Sequence, residues 1–298
     1  MLTLALLGLM CAGVWLLGRW ILGDIFAIYA VFLVMTIIAF NPALSPSLLM
    51  RAYRAQPVKP QDAYELCQIV AVLAKRAHLP TTPKLYYLPI GTMNAFAAGS
   101  QSNSVIALSD GLLRNLTLNE ITGVIAHEIS HIRHNDMLIM IVSDLMGQIT
   151  RLLAFIGQLF LLLAFPMLVM GAIEIDLLPF AIVILTPLLS ALIQLAISRS
   201  RELQADVSAA ELLGTPEPLI NALIKLERQS SYWERFYRAS SDNALLRTHP
   251  TTKERIEQLD ALSPDTSWQP LGYQDGWTNP WSHSPQLYPR RISRYLWF

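Results

Sequence analysis

Four stretches of this 298-residue chain carry no charge over a length close to that of a bilayer: Leu2–Gly18, Ile25–Leu49, Leu152–Ile173 and Leu177–Ile197. A helix needs about 20 apolar residues to cross the hydrocarbon core. The last three meet that length. The first meets it if it continues past Arg19 to Leu22, with Arg19 snorkelling to the interface. Reading the first as a cleaved leader finds no basic n-region and no small-x-small cleavage site. The other soluble reading makes the third and fourth a buried helical hairpin, but runs so long and so poor in polar groups favour lipid. Pro166, Pro179 and Pro187 are tolerated in spanning helices. Apolar residues make up 53% of the chain and charged residues 15%, which excludes a disordered chain. Lys+Arg and Asp+Glu both total 22, so no global field draws in nucleic acid. The two cysteines, Cys11 and Cys67, read as packed thiols with no disulfide framework.

The apolar stretches come in pairs, joined by Arg19–Asp24 and by Glu174–Asp176. Each pair is expected to form a hairpin, leaving every polar segment on one face of the membrane. That face carries Arg51, Arg54, Lys59, Arg133, Arg199 and Arg201, and the other only Arg19. Positive charge marks the cytoplasmic side, which places the polar domain and both termini there. The organisation read from this is an N-terminal hairpin (1–49), a first catalytic part (50–137), a second hairpin (138–197), a second catalytic part (198–261) and a Trp/Pro-rich tail (262–298).

Within the polar parts, 61–79 reads as an amphipathic helix ended by Pro80 and Pro83, and Lys84–Leu88 and Ser104–Leu108 as short strands. The intervening Gly91–Gly99 is small and turn-prone. Thr117 and Glu120 have the spacing of a capping box, which starts a helix at that point. Arg201–Leu213 reads as a helix of its own after the fourth apolar stretch, stopped by Gly214 and Pro216, and Pro218–Gln229 as a further one. The tail, with five prolines and four tryptophans, either wraps the surface in extended form or touches the membrane interface.

His127-Glu128-Ile129-Ser130-His131 falls on the capped helix. Spacing of i, i+4 puts both imidazoles on one face, one turn apart, within reach of a single metal. Glu128 is rotated around the helix and can reach a water on that metal. Zinc suits two imidazoles plus a carboxylate with the fourth position open. Glu202 supplies the carboxylate. Asp206, one turn later, faces the same way and can accept a hydrogen bond from a ligand imidazole, fixing its tautomer. Glu202 could otherwise form a surface pair with Arg199 or Arg201. His134 is expected on the same continuous helix as His131, too far along the axis to bind the metal. His78 and His283 have no motif around them.

Together with Pro83-Lys84, Asn94-Ala95-Phe96-Ala97, Gly111-Leu112-Leu113, Val124–His131, Ser200–Asp206, Thr248-His249-Pro250 and Glu254-Arg255-Ile256, the chain resembles the HtpX-type membrane zinc metallopeptidases, gluzincins related to the CAAX prenyl proteases. The resemblance covers roughly residues 1–260. The chain departs from the pattern at His134, where a small polar residue is common, at Thr251, where a second proline is usual, and in its tail. The resemblance implies a mainly α fold with a small β-sheet, in which a four-helix transmembrane region joins a zincin-type catalytic domain. It implies one Zn²⁺ per chain, bound by His127, His131 and Glu202, with Glu128 as general base. It also implies that an edge strand near Asn94–Ala97 pairs with an extended substrate. Asn94 reads equally as a turn residue. His249 is read as a donor to the developing oxyanion, as a fourth ligand that holds the site latent, or as a capping residue before Pro250.

The implied activity is cleavage of damaged or misassembled membrane proteins as quality control, in a bacterial inner membrane, with Glu128 assisting attack by water. No nucleic-acid partner is expected, and the oligomeric state stays open. Two other classes compete: a membrane adaptor or holdase with a structural metal, and a hydrolase of prenylated peptides. A structural site closes its fourth position with protein, which an intact Glu128 argues against. Four spanning segments are few for the chamber a prenyl-peptide hydrolase needs.

Overall fold

The computed structural model describes residues 2–22, 36, 45–171, 177–237 and 251–262. The elements run α1 (Leu2–Leu22), α2 (Pro46–Ala52), β1 (Gln56–Pro57), α3 (Tyr64–Arg76), β2 (Lys84–Leu88), β3 (Ala95–Ser100), β4 (Asn103–Ser109), α4 (Asp110–Asn115), α5 (Leu118–Arg133), α6 (Asp136–Val169), α7 (Leu177–Leu213), α8 (Glu217–Tyr237) and α9 (Thr252–Asp260). The protein is mainly helical with one small mixed sheet. The Ile25–Leu49 stretch falls almost wholly outside the described residues, as do His249, His283 and the tail beyond Leu262.

The chain divides into two compact units. Among the described residues, the first is built on 2–22, 135–171 and 177–204. Two helices are long and apolar enough to cross a membrane, Asp136–Val169 and Ala181–Leu213. With α1 they share an apolar core: Met10 and Val14 of α1, Met146 and Leu153 of α6, and Val183, Ile193 and Ile197 of α7 form one buried cluster. Cys11 on α1 is exposed rather than packed, because its position falls off the face that carries Met10 and Val14. At the polar end of this unit Asp136 and Arg201, both buried, form an ion pair.

The second unit is built on 45–134, 205–237 and 252–262. Its sheet has the order β1-β2-β4-β3, with β2 and β4 parallel and the other two pairings antiparallel. Thus β3 lies at an edge, with Ala95 opposite Leu108 and Ser100 opposite Asn103. The tight return to β4 needs Gly99, at φ 98°, where a Cβ would stand 2.1 Å from the Asn103 carbonyl.

The central element of this unit is α5. Its start is the capping box: Glu120 accepts from the Thr117 amide at 2.7 Å, and Thr117 Oγ1 accepts from the Glu120 amide at 3.4 Å. Lys225 on α8 also donates to Glu120, at 2.7 Å. Ile121, Ile125, Ile129 and Ile132 recur at helical spacing and are 2% exposed or less. Burying each such side chain contributes roughly 1.5–3 kcal/mol. At 100° per residue, this stripe lies about 140° around the helix from His127 and His131. Core residues therefore aim the imidazoles away from the hydrophobic interior.

Two helix boundaries differ from the sequence expectation. The helix of His127 and His131 does not continue through His134. It stops at Arg133, because Asn135 adopts left-handed geometry (φ 54°) and His134 caps the end, its Nδ1 2.9 Å from the Ser130 carbonyl. Conversely, Arg201–Leu213 is not a separate helix but the last part of α7, since no proline or glycine intervenes between Ile197 and Leu213.

Helix α8 crosses α5 at Gly123, where a Cβ would stand 2.7 Å from both the Leu219 nitrogen and the Pro218 carbonyl carbon. These are backbone atoms, so the helices must separate if the position is filled. Gly123→Val is expected to cost about 1–3 kcal/mol by overpacking, and Thr117→Ala about 1 kcal/mol by loss of the cap. Thermal unfolding of the detergent-solubilised protein checks both.

Candidate metal centre

Because α5 places His127 and His131 one turn apart, their Nε2 atoms converge to 3.1 Å, with the rings edge to face at 85°. Glu202 stands one turn before Asp206 on the uninterrupted α7 helix. Ligand atoms of His127, His131 and Glu202 all lie within 4.8 Å of one another. Two nitrogens each bonded at about 2.0–2.1 Å to one tetrahedral ion stand about 3.3 Å apart. Both the donor set and its spacing therefore fit zinc, with a position left over for water. Glu128 is buried, 8% exposed, and adjoins His127 in the chain.

Behind the imidazoles lies a carboxylate with no exposure at all, Asp206. Its Oδ1 is 3.0 Å from His127 Nδ1, so the Nδ1 proton is held and Nε2 keeps its lone pair for a metal. Arg255 on α9 grips the same carboxylate through both oxygens, Nε to Oδ2 at 2.7 Å and Nη2 to Oδ1 at 2.6 Å. Asp206 lies beyond the charge-free part of α7, which ends at Ile197. Burial alone raises its carboxyl pKa, but the hydrogen bonds it accepts from Arg255 and His127 outweigh that and leave it below the usual carboxylate range.

Sequence reasoning assigned Arg255 no role. It stands 49 positions from Asp206, and no periodicity links residues so far apart. The motif Glu254-Arg255-Ile256 flagged the position without its partner.

Around the edge strand, Ser109 Oγ accepts from the Asn94 amide at 2.8 Å, and the Ser109 amide donates to the Asn94 carbonyl at 2.9 Å. That pairing sets the alternation along β3, so the amides and carbonyls of Ala95 and Ala97 point away from β4, toward the free edge. Asn94 has no positive φ, so left-handed turn geometry does not account for it. Phe96 rests against Tyr53, with ring centroids 5.3 Å apart.

A helix presenting two imidazoles and a glutamate, met by a carboxylate from another helix, is the arrangement of a metallopeptidase. Residues 60–263 match the model of "Peptidase family M48", and the chain belongs to that family. Its relatives include the protease HtpX homologue of Campylobacter concisus, 35% identical over 76% of this chain and 84% of the relative. The HtpX homologue of Desulfatibacillum aliphaticivorans is 32% identical over 91% of this chain and 92% of its own. Protease HtpX of Legionella pneumophila is 35% identical over 73% and 82%. Among solved structures, Ste24p of S. mikatae shares the fold, with a TM-score of 0.54 at 22% identity over 85% of this chain. The match spans 62% of Ste24p, so this chain accounts for less than two thirds of that protein. The protein is thus a metalloprotease of HtpX type, a family that is zinc-dependent in general.

Replacing Arg255 with Met keeps the stem and removes the clamp. Metal affinity is expected to fall on the order of 10- to 100-fold, the range for partners behind a metal ligand. Competition with a chromophoric chelator measures it.

Proposed function

We propose that this chain is a membrane-embedded zinc endopeptidase that hydrolyses peptide bonds in misfolded or damaged membrane proteins. The observation that carries the proposal is the convergence of His127, His131 and Glu202 with Glu128 on the same helix as the two histidines. In this reading the two imidazoles and Glu202 hold the ion, and Asp206 orients His127. Bound zinc supplies Lewis-acid polarisation of the scissile carbonyl and lowers the pKa of water toward about 7. Glu128 takes the proton of the attacking water and returns it to the leaving amine. His249, outside the described residues, serves in this reading either as donor to the developing oxyanion or as a fourth ligand that holds the site latent.

Support for a loosely defined substrate comes from β3. The outward amides and carbonyls of Ala95 and Ala97 suit strand addition, where backbone hydrogen bonds bind an extended peptide with little demand on its sequence. Asn94, Ala95, Phe96 and Ala97 form the substrate strand in this reading. The apolar stretches support a multi-pass protein of four spanning helices, with the catalytic parts at 50–137 and 198–261, and with 262–298 as a separate tail. The excess of Lys and Arg near the helix ends supports a cytoplasmic catalytic domain in a bacterial inner membrane.

Glu128→Ala is expected to retain metal, by elemental analysis, while losing about 10²–10⁴ in cleavage rate on an unfolded chain such as casein. Glu202→Ala is expected to lose the metal itself. Wild-type cleavage by Glu128→Ala would overturn the assignment. Protease protection of the C-terminal tail in sealed vesicles checks the orientation independently.

A further inference from the structure

Strand β3 is tied down at both ends within the second unit. At its start Asn94 is locked to Ser109. Past its far end, Gln101 donates from Nε2 to the Arg133 carbonyl at 2.7 Å, capping the last turn of α5. Among the described residues β3 pairs only with β4. A peptide added to its free edge would therefore run beside the helix that carries His127 and His131.

Side chains along a strand divide between two faces with period two. Ala95 and Ala97 pack with the cluster that contains Ile125 and Ile129, so they face α5. Phe96 lies outside that cluster and points the other way, onto Tyr53 at the end of α2, with the two rings inclined at 51°. Tyr53 remains 48% exposed and Phe96 is half-buried, so both rings keep free surface.

The backbone decides which substrate side chain meets them. Ala95 and Ala97 direct their amides and carbonyls to the free edge, so they would exchange hydrogen bonds with an added antiparallel strand. Phe96, between them, then falls in a non-hydrogen-bonded pair, in which facing Cα atoms approach to about 4.5 Å and side chains come closest. The substrate residue abreast of Phe96 points to the Tyr53 side, and its two neighbours point to the α5 side. An aromatic pair could also hold a cation on its ring faces, but Arg51 and Arg54 are exposed on either side of Tyr53 and oppose one.

We propose that Tyr53 and Phe96 form a specificity subsite that selects an aromatic side chain in the cleaved peptide, at the one position abreast of Phe96. The inference rests on the proposed strand addition at β3 and adds a side-chain preference to backbone recognition. A third ring gains cross-strand and edge contacts beyond its area burial, whereas the methyl groups of Ala95 and Ala97 make no comparable selection. Phe is among the residues most often fully buried in folded chains. A subsite for a ring therefore favours segments that have lost their fold.

The test uses full-length protein in detergent and short fluorogenic peptides that share one scissile bond and carry Phe or Ala at each position in turn. Wild type is expected to prefer Phe at one position by about 3- to 10-fold in kcat/KM, the scale of one aromatic pair. Tyr53→Ala should bring that ratio to about one and Tyr53→Phe should retain it, while the ratios at the two adjacent positions do not respond to Tyr53. Tyr53→Arg should favour Glu over Phe at the same position, a gain that misfolding cannot produce. Dependence on Tyr53 at no position or at adjacent positions alike, an equal loss on every peptide, or a Phe preference kept by Tyr53→Arg overturns the proposal. So does a wild-type preference for Glu at that position. Failure of the parent reading looks different, since Glu128→Ala would then cleave the whole set at the wild-type rate.

Discussion

A fully buried carboxylate, Asp206, is the constraint on which the site depends. Such a charge is expensive to remove from water unless it is paired and hydrogen-bonded, and here both oxygens are used: His127 on α5 reaches Oδ1, and Nε and Nη2 of Arg255 on α9 reach Oδ2 and Oδ1. The carboxylate thereby ties three helices separated in the chain to one point. It also sets the chemistry of His127, because holding the Nδ1 proton leaves Nε2 as the ring's available donor. The second unit is packed so that this point stays dry. The isoleucine stripe of α5 fills the core, and Gly123 lets α8 approach closely enough to close it.

Helix length is the second constraint. At 1.5 Å per residue the 34 residues of α6 and the 37 of α7 extend about 51 and 55 Å, well beyond a hydrocarbon core of about 30 Å. Helices of that length cannot be membrane anchors alone. In α7 the charge-free run ends at Ile197, and Glu202 and Asp206 follow on the same uninterrupted helix, with no loop between them. A loop would let the two carboxylates wander, whereas a helix holds them one turn apart. Small buried residues along α6, Ser143, Gly147, Thr150, Ala154 and Gly157, allow close helix packing where burial of apolar area gives no drive in lipid.

Much of this was legible in the residues. Period-2 and period-3.6 patterns locate β2, β4 and α5, and Thr117 with Glu120 announces the cap that both form. The proximity of His127 to His131 follows from their spacing once a helix is granted. Other features were not legible. The break after Arg133 depends on the left-handed Asn135, a conformation asparagine tolerates but does not require. The continuity of α7 was hidden because a sharp change from apolar to charged residues resembles a boundary, although the backbone has no reason to stop there. The family model and the HtpX relatives agree with a protease, and the fold match agrees with the architecture. The two helices apolar enough to span, rather than four, are what the described residues hold.

By itself, then, the sequence determined which segments avoid water, which helix bears two imidazoles on one face, and that a carboxylate pair lies one turn apart on a second helix. Each is a local property, governed by composition and a fixed helical period. Only the tertiary structure decided that the two helices meet and that Arg255 from a distant helix neutralises Asp206. Those outcomes depend on how side chains far apart in the chain share one volume, which no periodicity encodes.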